Sequence, residues 1–229
     1  WTRFRERQTK RLTEQGPDFP KRPVVLIIAA KGTSPTFSHF LQLVLGQKYP
    51  NYRVIFVTES QSDPAREAIL EHLELSDGKD FWESPQDYGA RSATLVVAGK
   101  SENQGQKVHN QLAAFKKLTD EDEIIAFADA DIIGGEGWLE KLVAPINVEE
   151  CEFTTGYRWF IPERSNLSNL VATNINAAIG ILAGPSWHAL LWGGSMAMTH
   201  SAFKEIDIPK ELAGSLNDDL QITLSLIHI

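Results

Sequence analysis

The residues with the clearest chemical potential form the run Phe127-Ala128-Asp129-Ala130-Asp131. The run closes an apolar stretch and precedes a glycine-rich turn, Gly134-Gly135-Glu136-Gly137. Two carboxylates one residue apart, at the end of a strand, can hold a divalent ion and through it a pyrophosphate. Oxygen donors that leave room for water suit Mg2+ or Mn2+. The competing reading is a turn in which Asp131 caps nearby backbone. Asp-x-Asp is a weak pattern by itself, and its weight here comes from its position after the fourth strand of an alternating α/β chain.

Three further groups follow in order along the chain. Lys107-Val108-His109-Asn110 lies on the helix before that strand. Its lysine can neutralise phosphate or approach a nucleotide edge, and Asn110 can support the same ligand. An ordinary solvated helical face would look the same. Trp192-Gly193-Gly194-Ser195 sits near the start of a strand, where paired glycines let a ligand approach the backbone or mark a bulge. Just upstream, the Trp187 face suits sugar stacking or core packing, and His188 is an improbable lone ligand. Asn217-Asp218-Asp219 precedes a helical run. One of its carboxylates can accept a proton from an acceptor hydroxyl; the alternative is an N-cap favoured by the helix dipole.

The elements that must position these groups alternate. Val24 to Ala30 is a continuous, β-branched apolar run bounded by Pro23 and Lys31-Gly32, which predicts a buried parallel strand. Phe37 to Leu45 has helical spacing and stops at Gly46. Tyr52 to Thr58 is a second strand, and Asp63-Pro64 opens a helix with proline at its first position. Ala93 to Ala98, Gln104 to Leu118 and Ile124 to Ala128 continue as strand, helix and strand. The pattern predicts an α/β chain, with a mostly parallel sheet covered by helices on both faces. The second half is less regular. Phe153 to Phe160 and Leu191 to Met198 read as strands, and Asp218 to Leu226 as a helix. Leu167 to Leu182 is apolar but carries Asn169, Asn174 and Asn176. Its polarity favours a core or acceptor-cleft helix over an interfacial one.

With 229 residues and 42% hydrophobic content, the chain can build one sizeable domain. A net charge of -8 argues against nucleic acid as the main partner. Residues 1–22 run the other way, with Arg3, Arg5, Arg7, Lys10, Arg11, Lys21 and Arg22 against Glu6, Glu14 and Asp18. That segment reads as a basic juxtamembrane stretch on the cytosolic side or as a solvated tail. Cys151 is the single cysteine, so no disulfide framework exists; a reducing compartment fits, and the thiol reads as buried and inert. No apolar run of about 18 residues, the length a membrane span needs, occurs. The chain starts at Trp1, stops in an apolar run, and reads as a fragment cut at both ends.

The order Lys-x-x-Asn, Asp-x-Asp, Gly-Gly strand, Asp-Asp resembles the family 2 type glycosyltransferases, and most closely their ceramide glucosyltransferase-like branch (family 21). The matching residues are Asp63-Pro64-Ala65, Lys107 to Asn110, Asp129 to Asp131, Gly193 to Met198, and Asp218-Asp219. The resemblance spans roughly Val24 to Leu226. It implies a GT-A fold, with a donor half over 23–145 and an acceptor half over 146–229. It implies a UDP-sugar donor, a membrane lipid acceptor (ceramide-like, diacylglycerol, hopanoid or polyprenyl phosphate) and placement on the cytosolic face of a membrane. On this likeness Glu59, Asp63, Lys107, Asn110 and Asp129 contact the donor. Glu59 stands where the family usually has an aspartate. Asp131 holds Mg2+ or Mn2+ with help from Asp129, Asp219 is the catalytic base with Asp218 beside it, and Gly193, Gly194, Ser195 and Trp187 face the acceptor. The implied reaction is a single displacement with inversion. The family's (Gln/Arg)-x-x-Arg-Trp motif and following membrane helices do not occur within these residues. Two other classes fit parts of the pattern. One is a nucleotide-sugar-binding but inactive subunit or module of a membrane synthase. The other is an Asp-x-Asp phosphoryl-transfer enzyme, which would carry the motif after its first strand.

Overall fold

The fold is that of a computed structural model describing residues 21–85, 89–132, 134–158, 160–162, 164, 166–182 and 191–227. Chain order is β1 (Val24–Ala29), α1 (Phe37–Leu45), β2 (Tyr52–Thr58), α2 (Pro64–His72), β3 (Phe81–Glu83), β4 (Ser92–Val97), α3 (Gln106–Phe115) and β5 (Ile124–Asp129). There follow α4 (Trp138–Asn147), β6 (Phe153–Thr155), α5 (Leu167–Leu182), β7 (Ser195–Thr199), α6 (His200–Glu205), α7 (Ile208–Leu212) and α8 (Asp218–Ile227). All seven strands form one sheet, ordered β3-β4-β2-β1-β5-β7-β6.

β1 lies at its centre because every side chain from Val24 to Ile28 is apolar and buried. It pairs in parallel with β2 on one side and β5 on the other. Its residues alternate between two cores, as strand geometry requires. Leu26 and Ile28 pack on one face with Phe40, Val44, Ile69 and Val143. Val25 and Ile27 pack on the other with Val108, Phe127, Phe203 and Ile222. Each such side chain contributes about 1.5–3 kcal/mol on burial. Asp63 accepts from Ala65 N at 2.9 Å ahead of Pro64, so α2 starts where its sequence requires.

The four parallel strands β4, β2, β1 and β5 match the alternating half of the sequence. The other three strands each pair antiparallel with a neighbour. β3 is a three-residue antiparallel edge strand with no sequence signal. β7 returns antiparallel to β5 and carries β6. β6 ends at Thr155, short of Phe160, and β7 begins at Ser195, four residues after Leu191.

α5 forms over the residues expected but is not a core helix. Leu167 is 77% and Ile175 57% exposed, with Leu170 and Val171 near half. Its asparagines explain the orientation. Asn169 Nδ2 donates to Arg164 O and Asn176 Nδ2 to Arg158 O. The polar side of the helix therefore holds the preceding loop, and much of the apolar side is left in solvent. Cys151 is half-buried rather than buried, and what burial it has raises its thiol above the ordinary value. Among the described residues no helix is long and apolar enough to cross a membrane.

Candidate active site

Asp129 is the last residue of β5, at the carboxyl edge of the parallel strands. That edge is where open α/β sheets take ligands. α3 brings Lys107 to the same place from its first turn. The Lys107 ammonium lies 2.8 Å from Asp129 Oδ1 and 3.0 Å from Asp218 Oδ2. It also donates to Gly193 O at 3.3 Å. Its three N–H groups thus have three acceptors. Burial pulls the ammonium's pKa down, but the charges of Asp218 and Asp129 and their hydrogen bonds outweigh it, and the net shift is upward.

Asp218 is buried, and Gln111 Nε2 donates to its Oδ2 at 2.7 Å. Asp219 is half-buried. Its Oδ2 accepts from Gly193 N at 3.3 Å and its Oδ1 from Leu220 N at 2.8 Å. Asn217 caps α8, with its Oδ1 accepting from Leu220 N at 3.1 Å. Asn217 can therefore serve as the cap while the two aspartates face Lys107 and Gly193.

The Gly-Gly pair is required sterically. A Cβ on Gly193 would lie 2.9 Å from Asp218 Oδ2. On Gly194 it would lie 2.2 Å from the Trp192 ring and 2.6 Å from Asp129 Oδ2. Gly194 O also accepts from Asp129 N at 3.1 Å, which stitches β5 to this turn. Trp192 N donates to Thr155 Oγ1 at 2.9 Å.

Several expected site residues are engaged elsewhere. Ser195 is 1% exposed and its hydroxyl accepts from Trp138 Nε1, so it supports the strand rather than facing an acceptor. Asn110 is buried, and its Oδ1 accepts from Gln106 Nε2 within α3, so it braces the helix rather than offering itself to a donor. Asp63 caps α2 and also accepts from Gly32 N at 2.8 Å, which fixes the loop after β1. Glu59 pairs with Lys31 at 2.8 Å on the same edge. Trp187 and His188 lie outside the described residues. Asp131 stands just beyond β5, 65% exposed, with Arg158 Nη1 at 3.4 Å from its Oδ2.

The two sides of the site are also joined through the loops ahead of α3 and α8, once by main chain and once by a side chain. Gly105 N donates to Ser215 O at 2.9 Å, and Gly214 N donates to Gln104 Oε1 at 3.0 Å. Gln104 Nε2 donates to His109 Nδ1 at 3.0 Å, and His109 Nε2 donates to Ala98 O. A Cβ on Gly105 would stand 2.3 Å from Leu216 O, so only glycine allows this approach.

Among the described residues no three His, Cys, Asp or Glu side chains gather as a metal cage. A small hard cation does not need one, because it takes one or two carboxylates and completes its shell with phosphate oxygens and water. Asp131 offers an exposed carboxylate, and Asp129 has Oδ1 on Lys107 with Oδ2 beside it. This donor chemistry fits Mg2+ or Mn2+.

Gln111 and Arg158 stand at the site with no sequence motif to mark them, and Trp192, the first residue of the Gly-Gly run, stands there as a ring beside Arg158. Gln111 was legible in principle, since it follows Lys107 by four residues and so shares its helix face. Arg158 carried no local signal.

The sequence profile described as "Glycosyl transferase family 2" matches residues 25–207. No curated protein sequence matches the chain. Among solved structures, a mannosyltransferase from Pyrobaculum calidifontis in complex with GDP-Man and Mn2+ aligns at TM-score 0.57 and 17% identity, covering 90% of this chain and 53% of its own. A 4-diphosphocytidyl-2C-methyl-D-erythritol synthase from Anaerococcus prevotii aligns at TM-score 0.52 and 12% identity, over 89% and 82% of the two chains. Glucosyl-3-phosphoglycerate synthase from Mycobacterium tuberculosis, with Mn2+, UDP-Glc and glycerol 3-phosphate, aligns at TM-score 0.50 and 14% identity, over 85% and 69%. These are likenesses of fold, and the chain spans about half the length of the mannosyltransferase.

Proposed function

The chain belongs to glycosyl transferase family 2, and on that premise we propose that it moves a hexose from a UDP-sugar to a hydroxyl of a membrane lipid, inverting the anomeric carbon. Its sheet and helices have the GT-A arrangement. The observation that carries the reading is the meeting of Asp129, from the donor half, and Asp218, from the acceptor half, on the one ammonium of Lys107.

Lys107 engages Asp129 through Oδ1 and fixes that carboxylate at the strand end. Mg2+ or Mn2+, held when bound by Asp131 and Asp129, would supply Lewis-acid stabilisation of the leaving diphosphate. Lys107 and Gln111 hold Asp218, and Gly193 N–H orients Asp219. Asp219 takes the proton of the acceptor hydroxyl as its oxygen bonds to the anomeric carbon. The bond from that carbon to the diphosphate oxygen breaks, and UDP leaves with the electron pair. General-base assistance of this kind contributes roughly 10²- to 10⁴-fold.

The lipid acceptor is supported by α5. It carries no charged side chain, and Leu167, Leu170, Val171 and Ile175 are exposed beside exposed Phe160 and Ile161. A helix of this make-up can lie in a membrane interface. The basic run in residues 1–22 supports attachment at the cytosolic face.

Calorimetric titration with UDP, in Mn2+ and then in EDTA, tests the donor site. Metal-dependent binding that Asp131→Ala abolishes is the expected result. Binding indifferent to metal and to Asp131 would remove cation-assisted departure from the reaction. Binding of GDP but not UDP would correct the nucleotide, and binding of neither would overturn the donor site.

A further inference from the structure

Arg158 is held at the site from two directions. The backbone around it is tied to α5: Asn176 Nδ2 donates to Arg158 O at 3.1 Å, and Phe160 N donates to Asn176 Oδ1 at 2.9 Å. The Tyr157 hydroxyl also bonds Asn176 O. The guanidinium lies 5.3 Å from the Phe160 ring centre and 5.6 Å from that of Trp192. Such ring contacts favour a cation and restrain its plane. From there Nη1 reaches Asp131 Oδ2 at 3.4 Å, between side chains 48% and 65% exposed.

That pairing is long and open to water, and exposed ion pairs of this kind contribute little. Lys107, the cation expected to meet phosphate, already has an acceptor for each of its N–H groups. The charge leaving with the nucleotide calls for another cation, and a guanidinium fork matches phosphate oxygens in pairs.

We propose that Arg158 is a donor-diphosphate ligand that exchanges partners: it rests on Asp131 in the free protein and passes to the diphosphate when the donor binds. This proposal rests on the nucleotide-sugar reading above. The exchange frees the Asp131 carboxylate at the moment the donor arrives. The restraint by Phe160 and Trp192 keeps the guanidinium at the site in both states, so the movement is a swing of its end rather than of the loop.

The test is calorimetry of the whole chain with UDP and with uridine in Mn2+, for wild type, Arg158→Gln and Arg158→Lys, together with Mn2+ titration of the nucleotide-free proteins. Arg158→Gln is expected to weaken UDP by about tenfold or more, in the range of a lost charge-assisted hydrogen bond, and to leave uridine unchanged. Arg158→Lys should recover part of the loss, since an ammonium keeps the charge without the fork. Mn2+ alone should bind Arg158→Gln more tightly than wild type. A wild type that binds UDP beside an Arg158→Gln variant with the same affinity overturns the proposal alone. Equal losses for UDP and uridine overturn it too, by moving the effect to the nucleoside. A wild type that binds no UDP overturns the donor reading and this proposal with it.

Discussion

Gln111 donates its side-chain amide to Asp218 Oδ2 across 2.7 Å, linking the second turn of α3 to the first residue of α8. The contact is buried, and with Lys107 it immobilises one of two adjacent carboxylates. The other, Asp219, accepts from the backbone N–H groups of Gly193 and Leu220. Neighbouring aspartates are thus held differently, Asp218 by two buried side-chain donors and the proposed base Asp219 by backbone N–H groups.

The difference predicts opposite phenotypes. Asp219→Asn should lower sugar transfer by at least about 10²-fold while leaving UDP affinity and melting temperature as in wild type. Asp218→Asn should cost roughly 1.5–3 kcal/mol of stability, the range for a hydrogen bond to a charged group, seen as an earlier thermal transition. If Asp219→Asn loses UDP affinity instead, the residue is structural.

Gly194→Ala should be poorly tolerated. The added methyl would meet Trp192 and Asp129 together, and overpacking of this kind costs about 1–3 kcal/mol. Nucleotide binding in Mn2+ should weaken as Asp129 is displaced. Gly135→Ala is the control, because a Cβ there meets nothing within 4 Å. Equal behaviour of the two variants in denaturation and calorimetry would discount the steric argument.

Acid stability should depend on Asp122. Burial raises its pKa, but hydrogen bonds from Arg53 and from Thr119, with the Arg53 charge, outweigh burial and set it below the ordinary 3.8. Arg53 Nε and Nη2 reach its two oxygens at 2.8 and 2.6 Å. A depressed carboxylate contributes its full stabilisation above the unfolded value and loses it as pH falls through the folded one. Asp122→Asn should therefore lower stability at neutral pH by about 1.5–3 kcal/mol, with the deficit shrinking below pH 3.8. Urea melts of both proteins at several pH values would show it, and a deficit constant with pH would refute the linkage.

The parallel half of the sheet was legible because burial on both faces leaves continuous apolar runs, as in Val24 to Ile28, and because Asp129 closes such a run. Lys107, Asp129 and Asp218 could be nominated singly, but their convergence on one ammonium depends on how α3, β5 and α8 come together. β3 escaped notice because three residues with Phe81 exposed carry no periodicity. Ser195 and Asn110 were over-read: polar side chains beside a motif can equally be satisfied inside, by Trp138 and by Gln106. The exposure of α5 was not legible because the bonds that Asn169 and Asn176 make to the Arg164 and Arg158 carbonyls, which set the helix's polar side on the loop, are tertiary. Arg158 was invisible because two of its partners, Trp192 and Asp131, are distant in sequence.

The close approach at Gly105 sets a ruler within the molecule. Its N–H meets Ser215 O, peptide to peptide, three residues before Asp218 and two before Lys107. The span between the strand that would present the donor and the carboxylate that would activate the acceptor is consequently gauged by main chain. Gly105 cannot take a side chain without lengthening that span, and the Gln104 side chain on Gly214 N is its second fastening.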